Sequence, residues 1–170
     1  MNNTDRSEIF VSLIQSHKGI LYKVAGLYCK NEQDRQDLVQ EIIVQLWRSF
    51  DKYDDQYRHS TWIYRISLNV AISFYRKENS RKKIAGPLTE GIIRFSGNDA
   101  TEEKDSDLGM LQEVIAELRE LDKALMLLYL EEKSHKEIAR IIGISETNVA
   151  TKINRIKQVL KQKITRLKNE

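Results

Sequence analysis

Apolar residues recur three and four apart along most of the chain, and no stretch alternates over a strand's length. Ile9, Phe10, Leu13 and Ile14 predict a first helix, capped by Thr4 or Asp5. Ile20, Leu21, Val24, Leu27 and Tyr28 predict a second near 18–30. Asn31 is placed to cap a third, which carries Leu38, Val39, Ile42, Ile43, Leu46, Trp47 and Phe50. Ser60 or Thr61 is placed to cap a fourth, with a stripe of Ile63, Ile66, Val70 and Phe74 running to about 77. The pattern then breaks. Residues 81–106 hold Pro87, several glycines and the polar run DATEEKDSD, with one apolar patch at Ile92, Ile93 and Phe95 that reads as incidental local packing or as a docking segment. Helical spacing resumes near 107–119, 122–132, 135–142 and 146–167. The expectation is an all-α chain of two small helical domains, 1–80 and 107–170, joined by a flexible linker over 81–106.

The last two helices form the most informative segment, SHKEIARIIGISETNVATKINRIK at 134–157. Ser134 with Glu137 three residues on makes a capping box. Ile138, Ala139 and Ile142 follow at helical spacing, with the small Ala139 at a close crossing. Gly143 stands where a helix end must turn left-handed. Ser145 caps the next helix, whose buried stripe is Val149, Ile153, Ile156 and Leu160. This is a helix-turn-helix.

Charge sharpens that reading. The net charge of +3 hides a polarised end: residues 109–147 hold eight acids against five bases, whereas 148–168 hold seven bases and no acid. A basic helix after such a turn suits DNA, because phosphates attract it and base edges are read from its exposed start. On charge alone, Lys152, Lys157 and Lys161 are expected at phosphates.

The first block carries two polar rows. In DRQDLVQE (34–41), Asp37, Gln40 and Glu41 share one helix face, suited to a basic partner helix. In STWIYRISLNVAISFYRK (60–77), Arg65, Asn69 and Ser73 lie four apart on a helix otherwise rich in Ile, Val and Phe, with Arg76 and Lys77 beyond. Arg forks onto guanine and Asn pairs with adenine. Tyr53, Tyr57 and Trp62 lie just upstream, where aromatics beside basic residues can stack on unpaired bases.

Other chemistries find little support. Cys29 is the single cysteine, which excludes an internal disulfide, and it reads as a small core residue. His17, His59 and His135 lack ligand spacing, and no glycine-rich phosphate loop occurs. No catalytic residue, metal or cofactor is expected. No apolar run reaches the length of a membrane span, and the start lacks a secretory signal, so a cytoplasmic protein is expected.

Taken together, DLVQEIIVQLW, then STWIYRISLN, a linker and a C-terminal helix-turn-helix resemble a bacterial extracytoplasmic-function sigma factor over nearly the whole chain. The resemblance implies sigma region 2 in the first domain and region 4 in the second. It implies that Asp37, Gln40 and Glu41 contact the β′ clamp helices of core RNA polymerase, with the β flap as a further polymerase contact. Arg65, Asn69, Ser73, Arg76 and Lys77 match positions at the −10 promoter element. The loop of about 51–60, with Tyr53, Tyr57, Ser60 and Trp62, matches the segment that holds a flipped base during melting. Thr147, Asn148, Thr151, Lys152 and Arg155 match positions at the −35 element. Many members carry a basic residue after the valine of this helix; here it is Ala150. An anti-sigma factor is an implied partner. The alternative is a conventional helix-turn-helix regulator that binds duplex DNA unaided, although the first block shows no βα receiver pattern.

Overall fold

The structure, a computed structural model, describes residues 2–85 and 106–170. The Ile92, Ile93 and Phe95 patch lies outside the described residues. Every regular element described is helical: α1 (Asn3–Tyr28), α2 (Glu32–Ser49), a 3-10 turn (Phe50–Lys52), α3 (His59–Ala85), α4 (Ser106–Ala116), α5 (Glu120–Leu130), α6 (His135–Ile142) and α7 (Glu146–Asn169). The chain divides into two compact units, Met1–Arg81 and Lys82–Glu170.

In the first unit, α1 is one continuous helix where the pattern predicts two. The polar run at 15–18 bonds to the helix itself. Ser16 Oγ donates to the Ser12 carbonyl (2.9 Å), and His17 Nδ1 lies 3.0 Å from the Leu13 carbonyl oxygen. Gly19 costs roughly 1 kcal/mol in a helix. That is too little to break one anchored by buried Phe10 on one side and Leu21, Val24 and Tyr28 on the other. Neither Thr4 nor Asp5 caps α1, which begins at Asn3 after an Asn2 that makes no side-chain cap bond. Likewise α3 begins at His59, with Trp62 N–H donating to the Arg58 carbonyl, so Ser60 and Thr61 sit inside its first turn. Asn31 does cap α2, accepting from Asp34 N–H at 2.7 Å. Arg35 of α2 then reaches back to the Cys29 and Lys30 carbonyls (3.1 and 3.0 Å), satisfying acceptors that follow the end of α1.

Helix α1 packs along α2, and Tyr28 meets Tyr75 of α3 edge-on at 5.9 Å. Leu21, Val24, Leu38, Ile42, Leu46, Ile63 and Leu68 are almost wholly buried, each contributing about 1.5–3 kcal/mol. Ser67 shares this core, and its hydroxyl has no hydrogen-bond partner among the described residues.

In the second unit α7 is the spine, with α4, α5 and α6 packed on it. Its buried face is Val149, Ile153, Ile156 and Leu160, as the spacing predicts. Gly143 adopts φ 85°, and the N–H groups of Gly143 and Ile144 both donate to the Ala139 carbonyl (2.8 and 3.3 Å). Ser134 and Ser145 accept from Glu137 N–H and Asn148 N–H, each at 3.1 Å. The residue buried beside Ile138 is Ile141, where the spacing favours Ile142, which is half-buried.

Candidate nucleic-acid interface

The turn at Gly143 and the Ser145 cap present the start of α7 with its side chains free. Thr147, Asn148, Thr151 and Arg155 are exposed, whereas Lys152 is half-buried at the edge of this face. Ala150 is also half-buried, so its small side chain belongs to the flank. Thr151 Oγ1 donates to the Thr147 carbonyl at 3.0 Å, which fixes its rotamer. Gln158 and Gln162, both exposed, extend the Thr151–Arg155 row at helical spacing. A reading led by charge passes over these two; the four-and-three spacing from Thr151 would have found them.

The seven bases of this helix are not equivalent. Lys157, expected at a phosphate, instead lies over the Tyr129 ring, 4.1 Å from its centroid. Lys163 pairs with Glu117 (3.0 Å) and Lys168 with Asp107 (3.5 Å), both acids belonging to α4. Lys152, Arg155, Lys161 and Arg166 have no such partner among the described residues.

The first unit brings its two predicted rows to one groove. Exposed Asn69, Ser73 and Lys77 form one wall, and Asp37, Glu41 and Gln45 of α2 form the other. Ile66, Val70 and Phe74 also line it, and the open volume is about 660 Å³. Exposed Arg65 continues the α3 row one turn earlier, outside the groove; exposed Gln40 and Arg76 also lie outside the lining. The acidic wall is more built than its sequence suggests. Gln33 Nε2 donates to Asp37 Oδ1 and Gln45 Nε2 to Glu41 Oε1, each at 3.2 Å. These glutamines aim the carboxylates, and their spacing of four is the signal that reveals them. Val44 is exposed on the same helix.

The loop between the 3-10 turn and α3 is tightly organised. The Tyr53 hydroxyl donates to the Tyr57 carbonyl, Asp54 Oδ1 accepts from Gln56 N–H (3.0 Å), and Tyr57 N–H donates to the Asp54 carbonyl (3.2 Å). The Tyr53 ring stacks on His59 at 4.9 Å and tilts against Trp62 at 5.1 Å. Trp62 also meets Phe50 at 6.3 Å, so it is half packed and half open. Tyr57 is exposed, and Ser60 is half-buried in the first turn of α3. Partial burial, then the Asp55 and Asp54 carboxylates, push the Tyr53 phenol above its usual value, so it stays a neutral donor. Among the described residues no three His, Cys, Asp or Glu side chains come together as metal ligands, and no helix is long and apolar enough to cross a membrane.

Comparison with known proteins supplies the context. The Sigma-70 region 2 family matches residues 13–81, and Sigma-70, region 4 matches residues 108–160. The RNA polymerase sigma factor SigV of Bacillus subtilis is 31% identical over 93% of this chain and 92% of its own length. The ECF RNA polymerase sigma factor SigW of the same organism is 26% identical over 92% of this chain and 89% of its own. Two solved structures share the fold. CnrH, solved in complex with the cytosolic domain of CnrY, has a TM-score of 0.67 at 21% identity, over 94% of this chain and 89% of that one. The sigma factor RpoE of Bartonella quintana, solved with the anti-sigma factor NepR, has a TM-score of 0.62 at 15% identity, over 95% and 97%.

Proposed function

This chain belongs to the extracytoplasmic-function RNA polymerase sigma factors, and from that premise we propose how its surfaces divide promoter recognition. A sigma factor directs polymerase to promoters; what remains is which residues do so. The first unit acts as region 2 and 107–170 as region 4; the tether begins beyond the end of α3 at Ala85, later than the expected 81. The Asp37, Gln40 and Glu41 face, with its glutamine braces, docks on the β′ clamp helices, and the second unit engages the β flap. Thr147, Asn148, Thr151 and Arg155 enter the −35 major groove, while Lys152 and Lys161 hold phosphates and fix register. Each good bidentate base contact is worth about 1–3 kcal/mol of discrimination.

Arg65, Asn69, Ser73, Arg76 and Lys77 face the −10 element. The loop with Tyr53, Tyr57, Ser60 and Trp62 receives an unstacked base. Unstacking costs on the order of a few kcal/mol, which a preformed pocket offsets. Base capture as the strands part couples recognition to melting without any bond chemistry, so no catalytic residue or cofactor is called for. The observation that supports this reading is that each unit presents its own exposed polar row, Arg65–Asn69–Ser73 in one and Thr147–Thr151–Arg155 in the other. The protein works in the cytoplasm, where the polymerase is. One structural neighbour was solved with an anti-sigma factor and the other with the cytosolic domain of CnrY, so an anti-sigma factor is the expected regulator.

The test is transcription with purified core polymerase from −10 and −35 variants of one promoter. Asn69→Ala relaxes −10 selectivity and leaves polymerase affinity intact, whereas Asp37→Lys with Glu41→Lys lowers polymerase affinity first. Identical −10 selectivity in the Asn69 variant and its parent would remove that residue from the readout.

A further inference from the structure

The first turns of α1 meet the end of α2 and the 3-10 turn through two side chains: Phe10 packs edge-on against Trp47 (5.0 Å) and Phe50 (5.3 Å), and Arg6 adds the polar link. Arg6 makes a two-pronged ion pair with Asp51, Nε to Oδ1 at 2.7 Å and Nη2 to Oδ2 at 2.9 Å. Its guanidinium lies 3.9 Å above the Trp47 ring and 5.9 Å from that of Phe50. Asp51 belongs to the 3-10 turn that leads directly into the Tyr53–Tyr57 loop. Trp47 and Phe50 stack on each other, Phe50 meets Trp62, and Trp62 meets Tyr53. A fork and a ring stack thus join α1 to the aromatic residues at the loop. Asp51 itself is largely exposed, so an isolated pair there would stabilise the fold little. The stack on Trp47 restrains the guanidinium, which favours the fixed fork over a mobile surface pair.

We infer that Arg6 is a positioning residue for base capture: through Asp51 and Trp47 it sets where the Tyr53–Tyr57 loop stands when a base leaves the duplex. This rests on the reading of that loop as the flipped-base site. Arg6 touches no DNA in this scheme. Its loss loosens the start of the loop and spreads the positions of the Tyr53 and Trp62 rings, so a base that enters finds a pocket it must first order.

The test uses the full chain in holoenzyme with core polymerase. The probe is the single-stranded non-template −10 region of a promoter that this holoenzyme transcribes, with 2-aminopurine at each −10 position in turn. In the parent, one position shows a fluorescence change on binding that its neighbours do not. Arg6→Gln and Asp51→Asn each weaken capture at that position about three- to tenfold, the range set by an ion pair with an added ring contact. Combining them adds little, because both break one linkage. Arg6→Lys, which keeps the charge over Trp47 but loses the planar fork, recovers part of the signal. Core-polymerase affinity stays at the parental level in all four variants. Equal signals for parent and Arg6→Gln overturn the inference, as does simple addition of the two losses or a loss that tracks thermal stability across the variants. If no position in the parent shows a distinct change while the −35 unit binds normally, the loop reading itself fails, and this inference with it.

Discussion

The division of the α7 bases into engaged and open side chains gives a quantitative prediction. Each phosphate neutralised on duplex DNA contributes about −0.9 to the slope of log K against log salt. If all seven bases between 148 and 168 met phosphates, the second unit alone would give a slope near −6. The structure instead leaves Lys152, Arg155, Lys161 and Arg166 open and directs Lys157 to Tyr129, Lys163 to Glu117 and Lys168 to Asp107. Surface ion pairs are weak, worth about 0.2–1 kcal/mol, so the pairing alone would not keep a lysine from a phosphate. Position decides it: Lys163 and Lys168 lean toward α4, where the neighbouring carboxylates repel the DNA backbone. Alanine at Lys152 or Arg155 therefore shallows the slope by about 0.9 each, whereas alanine at Lys163 or Lys168 leaves it unchanged. Between 50 and 200 mM salt, one such contact accounts for about a 3.5-fold change in the affinity ratio. Fluorescence anisotropy of holoenzyme on −35 duplexes across that range measures it. Equal losses of slope at Arg155 and Lys168 would refute the reasoning, since the geometry would then have sorted nothing.

Other substitutions test the fold around the sites. At Gly143 an added Cβ meets no atom within 4 Å, so Gly143→Ala carries only the left-handed backbone penalty of about 1–2 kcal/mol, and Gly143→Asn less. Hydrogen exchange of the α6 and α7 amides reads that difference, and equal protection in the Asn and Ala variants would count against it. Ser67→Ala removes a buried hydroxyl without a partner and raises first-unit stability by up to about 1 kcal/mol in urea unfolding; a marked loss would reveal a hidden bond. The Tyr53 phenol binds its proton more tightly when folded, so its stabilisation is complete below 10.0 and is lost as pH rises through the higher folded value. Parent stability therefore falls relative to Tyr53→Phe across that alkaline window, and parallel pH profiles would show that the phenol is not perturbed.

Much of this was legible in the sequence because local rules and tertiary packing agree. The α6–turn–α7 segment is the clearest case: Ser134, Gly143 and Ser145 each have one conformational task, and each performs it. The length of α1 was not legible, because a polar run at 15–18 and a glycine look like a break until the i−4 carbonyl bonds and flanking burial are known. The start of α3 was misplaced for a related reason. Ser60 and Thr61 have good capping chemistry, but Arg58 already supplies the first carbonyl, and tertiary contacts of Tyr53 and Trp62 fix that turn. The two polar rows were legible from their spacing, and their residues are exposed. Their neighbours were less legible: Gln33 and Gln45 act by orienting carboxylates, Arg6 lies 45 residues from Asp51, and Lys157 turns to an aromatic ring on another helix. The glutamines do leave a mark, their spacing of four from the carboxylates, whereas the distant pairs Arg6–Asp51 and Lys157–Tyr129 leave none in local periodicity.

The central claim is that this chain reads promoters only as part of polymerase, with one base-reading row in each unit. Transcription from a promoter library, run with core polymerase alone, with the chain alone and with both, tests it most directly. The account predicts transcripts that start at a defined set of promoters only when both are present, with selected bases in two blocks at the −10 and −35 positions. Tight, sequence-specific duplex binding by the chain alone, with no promoter-dependent transcript when core is added, would contradict it.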